Sequence, residues 1–261
     1  ERGFIIHIEA FDWNCPQHIT PRFTEEAIQN LLTPLQAENE QLKKELATQS
    51  TKQSMPVIIG NGSLELKITG IRQLTPRVRA FELRDPQGLD LPKVEAGAHI
   101  QLPVILNNGQ LTIRHYSICS NPARRDIYEV AILREDDGKG GSKTIHESYQ
   151  LGQTLNCNPP ENFFTLECSD NTSNNTNNKA ILIAGGIGIT PIKAMAQSLK
   201  AKNVALNIHY AGRNKNEMPF RDRLQREFGD DLFIYDSAEK QRMDISNILK
   251  NSSDKSTIYV C

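Results

Sequence analysis

The chain has 261 residues, 38% of them apolar and 23% charged, and its formal net charge is −1. This length allows two domains of ordinary size. A net charge so close to zero provides no long-range attraction to a nucleic acid or a membrane surface, and no run of about 18 apolar residues predicts a membrane-spanning helix.

The cysteines are odd in number and show no C-x-x-C spacing. They are Cys15, Cys119, Cys157, Cys168 and Cys261. This pattern argues against a disulfide framework, a zinc site or a four-cysteine iron–sulfur loop within these residues. Because free thiols fit a reducing compartment, we expect a cytoplasmic protein.

Residues 1–23 begin with a strand-like run in which Phe4, Ile6 and Ile8 alternate with other residues. The piece is too short to bury a core of its own. The chain does not begin with Met and stops at Cys261 inside an apolar run, so we expect a part of a longer polypeptide.

Residues 24–56 are expected to form a helix and a polar linker. Thr24 precedes the acidic Glu25 and Glu26, as at a helix start. Heptad positions then recur in alternating steps of four and three, at Ile28, Leu32, Leu35, Asn39, Leu42 and Leu46. This seam is typical of a coil that pairs two chains into a homodimer. A helix lying on its own domain is the alternative, and Pro34 interrupts the pattern.

Residues 57–169 are rich in short predicted strands. These strands cover 64–68, 78–83 and 127–133, with turn sequences at 85–88, 107–109 and 121–122. Many short strands separated by turns indicate an antiparallel barrel or sandwich.

Residues 178–261 follow a low-complexity run at 170–178 and alternate strands with helices. We expect strands at 180–184, 204–210, 232–235 and 257–261, and helices at 191–200, 220–228 and 245–249. This alternation predicts βαβ units and a parallel sheet. The predicted fold class is therefore an antiparallel β-barrel, preceded by a helical linker and followed by a parallel α/β domain.

The segment 185–191, Gly-Gly-Ile-Gly-Ile-Thr-Pro, directly follows a predicted strand and opens a helix. Glycines let the backbone approach a pyrophosphate, and the N–H groups of a helix start favour anionic oxygens. Pro191 suits the first helical turn. The spacing differs from G-x-G-x-x-G, so a tight turn without a ligand is the alternative.

Two further motifs lie in the predicted barrel. The segment 114–117, Arg-His-Tyr-Ser, places a guanidinium and a flat ring on one face of a strand, suited to a phosphate and a planar ligand. The segment 138–146 is a glycine loop that runs into Ser142 and a helix start, and a merely flexible loop is equally compatible with it.

The order of these motifs resembles the ferredoxin–NADP reductase superfamily, and within it the phthalate dioxygenase reductase and vanillate demethylase reductase group. The matching stretches are 114–121, 140–146, 160–164, 185–191, 209–213 and 258–261. The resemblance implies a barrel at 57–169 that binds flavin and a parallel α/β nucleotide-binding domain at 178–261 that binds NADH or NADPH and is incomplete at Cys261.

The resemblance also implies roles for individual residues. Those implied to contact the flavin are Arg114, His115, Tyr116, Ser117, Ala131, Leu133, Gly140, Gly141 and Ser142. Those implied to contact the nicotinamide nucleotide are Gly185, Gly186, Gly188, Thr190, Pro191 and Arg213. Ser117 would lie near the reactive flavin N5 and Cys261 near the nicotinamide. The group uses FMN more often than FAD, and FAD stays open as the alternative.

Residues 11–19 separately resemble the C-terminal tail of pyridoxamine-phosphate-oxidase-like split barrels, which are dimeric FMN proteins. Residues 1–23 would then be the end of an upstream domain. The function expected from the whole chain is electron transfer from NAD(P)H through flavin to a one-electron acceptor, such as a 2Fe–2S domain or an oxygenase. A free-standing flavin or quinone reductase and a non-catalytic dimerisation scaffold are the alternatives.

Overall fold

The computed structural model describes residues 24–51, 58–167, 179–253 and 255–261. The chain divides into two compact units, residues 1–55 and residues 56–261. The expectations for residues 1–23, including the split-barrel tail and its strand, lie outside the described residues.

The described part of the first unit is one long helix, α1 (Glu25–Thr51). Its first turn carries Glu25 and Glu26, as expected, and Pro34 lies inside it. The loss of one backbone hydrogen bond at a proline does not end the helix here. The side chains of Ala27 and of residues 45–51, which include the predicted seam residue Leu46, lie outside the description.

The first half of the second unit is built from seven strands and one helix. They are β1 (Ile59–Gly60), β2 (Leu64–Thr75), β3 (Val78–Arg84), β4 (His99–Ile105), β5 (Leu111–Ser117), β6 (Tyr128–Leu133), α2 (Gly141–Ser148) and β7 (Thr154–Cys157). Five strands form a sheet in the order β1-β7-β2-β3-β6, and β4 pairs with β5 in an antiparallel hairpin. Only the short β1–β7 pairing is parallel among the described strand pairs of this half.

The second half is a four-stranded parallel sheet with helices between its strands. Its elements are β8 (Ala180–Gly185), α3 (Ile189–Ala201), β9 (Leu206–Gly212), α4 (Arg221–Phe228), β10 (Leu232–Asp236), α5 (Ile245–Lys250) and β11 (Thr257–Val260). The strand order is β10-β9-β8-β11. The expected fold class, an antiparallel β-barrel followed by a parallel α/β domain, is confirmed.

The two halves of the second unit pack against each other through one shared apolar cluster. It contains Val78, Cys119 and Ala131 of the first half together with Ile192 and Met195 of α3. Burial of this apolar surface stabilises the contact, at about 25 cal/mol per Å² removed from water.

No helix among the described residues is long and apolar enough to cross a membrane.

Candidate functional site

A cavity of about 580 Å³ lies where the two halves of the second unit meet. Its lining comprises Arg114, His115, Tyr116, Ser117, Ala131, Leu133, Glu135, Gly138, Lys139, Gly141, Ser142, Ile187, Gly188, Thr190, Pro191 and Cys261. A volume of several hundred Å³ is ordinary for a small-molecule site. The predicted motifs at 114–117, 138–146 and 185–191, which are far apart in the sequence, thus line one cavity.

Arg114 lies on β5 and reaches the first turn of α2. Its guanidinium donates to Thr112 Oγ1 at 2.7 Å and to the Ile113 carbonyl at 2.8 Å. A Cβ atom at Gly141 would lie 2.5 Å from Arg114 Nε, so a residue other than glycine would displace the guanidinium. Gly140, with φ +80°, precedes the helix in a left-handed conformation that glycine adopts without strain.

The barrel side of the cavity is a mixed apolar and polar wall. Burial raises the pKa of Tyr116 to about 12, so its phenol is neutral at physiological pH. Ala131 and Leu133 come from β6. The Ser142 hydroxyl accepts a hydrogen bond from the Glu135 backbone N–H at 3.1 Å, which ties the helix start to the end of β6.

Strand alternation predicts that His115 and Ser117 face away from Arg114 and Tyr116. His115 does contact the other side, where its ring centroid lies 5.0 Å from that of His99. All four residues of the motif nevertheless border the cavity. Burial and the neighbouring His115 lower the pKa of His99, while Glu161 raises it.

The opposite wall comes from the start of α3 and the end of the chain. The carbonyl of Cys261 accepts from the Gly185 N–H at 2.9 Å, and the Cys261 N–H donates to the Ile183 carbonyl at 3.0 Å. A Cβ atom at Gly188 would lie 2.5 Å from the Cys261 carbonyl group. Burial raises the pKa of the Cys261 thiol, so this cavity-lining residue carries a neutral thiol at physiological pH.

A smaller cavity of about 270 Å³ adjoins the first one. The two share Leu133, Glu135 and Ile187, and the smaller one also contains Gly186 and Arg213. The predicted site residues are therefore distributed over two adjoining cavities. Gly185 and Gly140 border neither of them, although each directly precedes a residue that does.

Sequence reasoning missed Glu135, Lys139 and Ile187 as lining residues. Each lies within or beside a predicted motif, so proximity in sequence is the signal that could have found them. Among the described ranges, no group of three His, Cys, Asp or Glu side chains could hold a metal ion.

Residues 65–165 match the model of a family described as the oxidoreductase FAD-binding domain. This segment is similar to that family and is called the FAD-binding-family domain below. The FAD-binding-family domain thus includes β2 to β7, with the segments 114–117 and 138–146.

Similar proteins extend the match into the parallel domain. The chain is 35% identical over 200 residues to the vanillate O-demethylase oxidoreductase of Acinetobacter baylyi, which covers 76% of this chain and 59% of that protein. It is 30% identical over 194 residues to the carnitine monooxygenase reductase subunit of Acinetobacter baumannii, which covers 74% and 58%. The chain spans less than two thirds of the length of these relatives.

A solved structure gives the same result for the fold. Phthalate dioxygenase reductase, described as a modular structure for electron transfer from pyridine nucleotides to a 2Fe–2S centre, superposes with a TM-score of 0.66 at 31% identity. The superposition covers 76% of this chain and 60% of that one. The expected relationship of the FAD-binding-family domain and the domain after it to this reductase group is confirmed.

Proposed function

We propose that the chain binds a flavin in the larger cavity and NAD(P)H beside it, and acts as the reductase part of an electron-transfer oxidoreductase. One observation carries this proposal: the barrel segments 114–117 and 141–142 share a single cavity with Gly188, Thr190 and Cys261. A nicotinamide and a flavin must meet directly for hydride transfer, since reacting atoms need to come within about 3–3.5 Å. A cavity with both sets of motifs on its walls supplies that meeting place.

The residues present fit a flavin phosphate and ring. The Arg114 guanidinium lies against Gly141, where a Cβ atom would come within 2.5 Å of its Nε, which places a cation at the start of α2. A cation and a helix start together favour a phosphate. Tyr116, neutral and partly buried, offers a flat surface for a ring.

A bound flavin supplies the redox chemistry, which is hydride acceptance and the release of single electrons. We assign phosphate binding to Arg114, Gly140, Gly141 and Ser142, and ring packing to Tyr116, His115, Ala131 and Leu133. Ser117 is assigned to the N5 edge of the ring. Gly185, Gly186, Gly188, Thr190 and Pro191 are assigned to the nicotinamide nucleotide, Cys261 to the nicotinamide ring, and Arg213 to the adenosine ribose or a 2′-phosphate.

We infer FMN rather than FAD as the flavin. In support, the only aromatic side chains that border the larger cavity among the described residues are His115 and Tyr116, which the ring itself would use. FAD stays the alternative because the family description names it. NADH and NADPH both remain compatible with Arg213.

The proposed acceptor is a one-electron partner such as a 2Fe–2S domain or an oxygenase component. In support, phthalate dioxygenase reductase transfers electrons from pyridine nucleotides to a 2Fe–2S centre, and the two similar chains are a vanillate demethylase oxidoreductase and a carnitine monooxygenase reductase subunit. A direct quinone reductase is the second candidate, since the chain is also 31% identical to the tetrachlorobenzoquinone reductase of Sphingobium chlorophenolicum.

The test is an absorption spectrum of the purified chain after incubation with FMN or FAD and removal of unbound flavin. NADH and then NADPH are added under anaerobic conditions, and the flavin released afterwards is identified by chromatography. We expect a flavin spectrum that bleaches, with FMN released. A chain that takes up neither flavin would overturn the proposal and favour the scaffold alternative. Supplying a quinone or a 2Fe–2S ferredoxin as acceptor then separates the two candidate functions.

A further inference from the structure

Helix α1 carries an exposed apolar stripe along one side. Ile28 is 43% exposed, Leu32 40%, Leu35 61% and Leu42 51%. The 27 residues of the helix give it a length of roughly 40 Å at 1.5 Å per residue. Long helices in water depend on burying such a stripe, because helix propensity alone contributes little.

The stripe follows a heptad pattern with a defined register. Steps of four and three place Ile28, Leu35 and Leu42 at d positions, and Leu32 and Asn39 at a positions. Pro34 falls at a c position, on the outer side of this register, so its missing N–H does not face the seam.

We propose that α1 pairs with α1 of a second copy of this chain in a parallel, in-register, two-stranded coiled coil. In this arrangement Asn39 faces Asn39 of the second copy, and the two amides can hydrogen-bond to each other. A single asparagine at an a position fixes register and strand number at some cost in stability.

Charge complementarity supports the parallel orientation. Glu38 occupies a g position and Lys43 the e position five residues later. In a parallel coil these two residues face each other across the interface, once on each side. Lys43 Nζ lies 3.2 Å from Glu40 in its own helix, but both side chains are about two thirds exposed, so that bond is weak and Lys43 can turn.

An antiparallel coil is disfavoured by the same residues. There g positions face g positions, so Glu38 would approach Glu38 of the second copy. Asn39 would face a leucine and leave its buried amide without a partner. The positions of Glu38, Asn39 and Lys43 therefore favour a parallel coil with a second copy of this chain over an antiparallel one.

The first experiment measures the mass of the full chain by sedimentation equilibrium over a range of concentrations. A reducing agent excludes a disulfide through the exposed Cys261. We expect a reversible monomer–dimer equilibrium. Leu35→Asp should weaken association at least about tenfold, because a buried leucine is replaced by a charge in the seam. The control Ala37→Asp adds the same charge at an outer f position and should leave association unchanged. A wild-type chain that stays monomeric, or a dimer that survives Leu35→Asp, would overturn the proposal.

The second experiment tests orientation by exchanging charges. Glu38→Lys and Lys43→Glu each turn two attractive contacts into two repulsive ones, and should weaken the dimer about tenfold. The double variant restores both attractions and should associate like the wild type. Single exchanges without effect would contradict the parallel orientation. Neither readout involves flavin or nucleotide, so the result is independent of the proposed function.

Discussion

The ammonium group of Lys193 lies 3.3 Å from a carboxylate oxygen of Glu129, and these side chains are 0% and 5% exposed. Lys193 belongs to α3 and Glu129 to β6, so the pair joins the two halves of the second unit. Lys193 also donates to the Cys119 carbonyl and lies 5.0 Å from the Phe220 ring centroid. Lys193 lies two residues after Pro191 on α3 and Glu129 two residues before Ala131 on β6, and both Pro191 and Ala131 border the larger cavity.

We predict that Lys193→Met lowers the free energy of unfolding by about 1–3 kcal/mol. The substitution removes the donor to the buried Cys119 carbonyl and one of the cations beside Glu129, whose carboxylate keeps Arg72 and Arg223. Urea unfolding of the full chain measures the change. Lys202→Met, at an exposed position just after α3, is the control and should cost less than about 0.5 kcal/mol. Equal stability of the two variants would show that the buried pair contributes little.

Arg114→Gln should weaken FMN binding at least about tenfold, because a charge-assisted hydrogen bond to a phosphate is worth about 1.5–3 kcal/mol. Riboflavin is the matched ligand, since it has the same ring system and no phosphate. Its affinity should be unchanged by the substitution. Fluorescence titration with both ligands measures the difference. An equal loss for FMN and riboflavin would place Arg114 against the ring rather than the phosphate.

Alanine substitutions at Gly97 and Gly109 distinguish the cost of backbone strain from the cost of a steric clash. Both glycines have a positive φ, +94° and +80°, so both substitutions strain the backbone. A Cβ at Gly97 would lie 1.8 Å from the Phe164 carbonyl oxygen, whereas a Cβ at Gly109 meets nothing within 4 Å. We expect Gly109→Ala to cost about 1 kcal/mol of stability and Gly97→Ala about 3 kcal/mol or more. Similar unfolding midpoints for the two variants would contradict the close approach of Phe164 to Gly97.

Stability should fall on mild acidification because burial lowers the pKa of His99, His146 and His209. As the pH drops through about 6.5, the unfolded chain binds protons that the folded chain resists, and the free energy of unfolding decreases. The effect is absent above that pH, where both states are neutral.

His99→Gln tests this pH dependence at one site, since the variant cannot take up a proton there. Its unfolding free energy, measured at several pH values between about 5 and 7.5 by urea denaturation, should depend less steeply on pH than that of the wild type. His115 lowers the pKa of His99 and Glu161 raises it, so both neighbours are retained in the variant. Parallel pH profiles for the two proteins would show that His99 is not the source.

Local patterns predicted most elements of the second unit, because strand and helix periodicities are properties of neighbouring residues. The predicted helix at 191–200 begins earlier, at Ile189, and in its first turn the Thr190 hydroxyl donates to the Ile187 carbonyl at 3.0 Å. The predicted strand at 204–210 begins later, at Leu206, because Asn203 takes a positive φ of 55° after the end of α3. β1, β4 and β7 were not predicted as strands.

The candidate site was predicted as separate motifs, and their assembly needed the three-dimensional fold. Glycine segments and the Arg-His-Tyr-Ser stretch are recognisable locally because each suits a phosphate or a ring by itself. The bond between Lys193 and Glu129 joins residues 64 positions apart, and the sequence around either residue does not predict its partner. The contact of His99 with His115 depends likewise on the β4–β5 hairpin register.

The shared wall formed by Leu133, Glu135 and Ile187 has a consequence for protein engineering. Arg213 and Glu217 line only the smaller cavity, and Arg114 and Tyr116 line only the larger one. Libraries that diversify Arg213 and Glu217 can therefore search for altered coenzyme preference without changing the residues assigned to the flavin. Libraries that include the three shared residues would select for both properties at once and confound them.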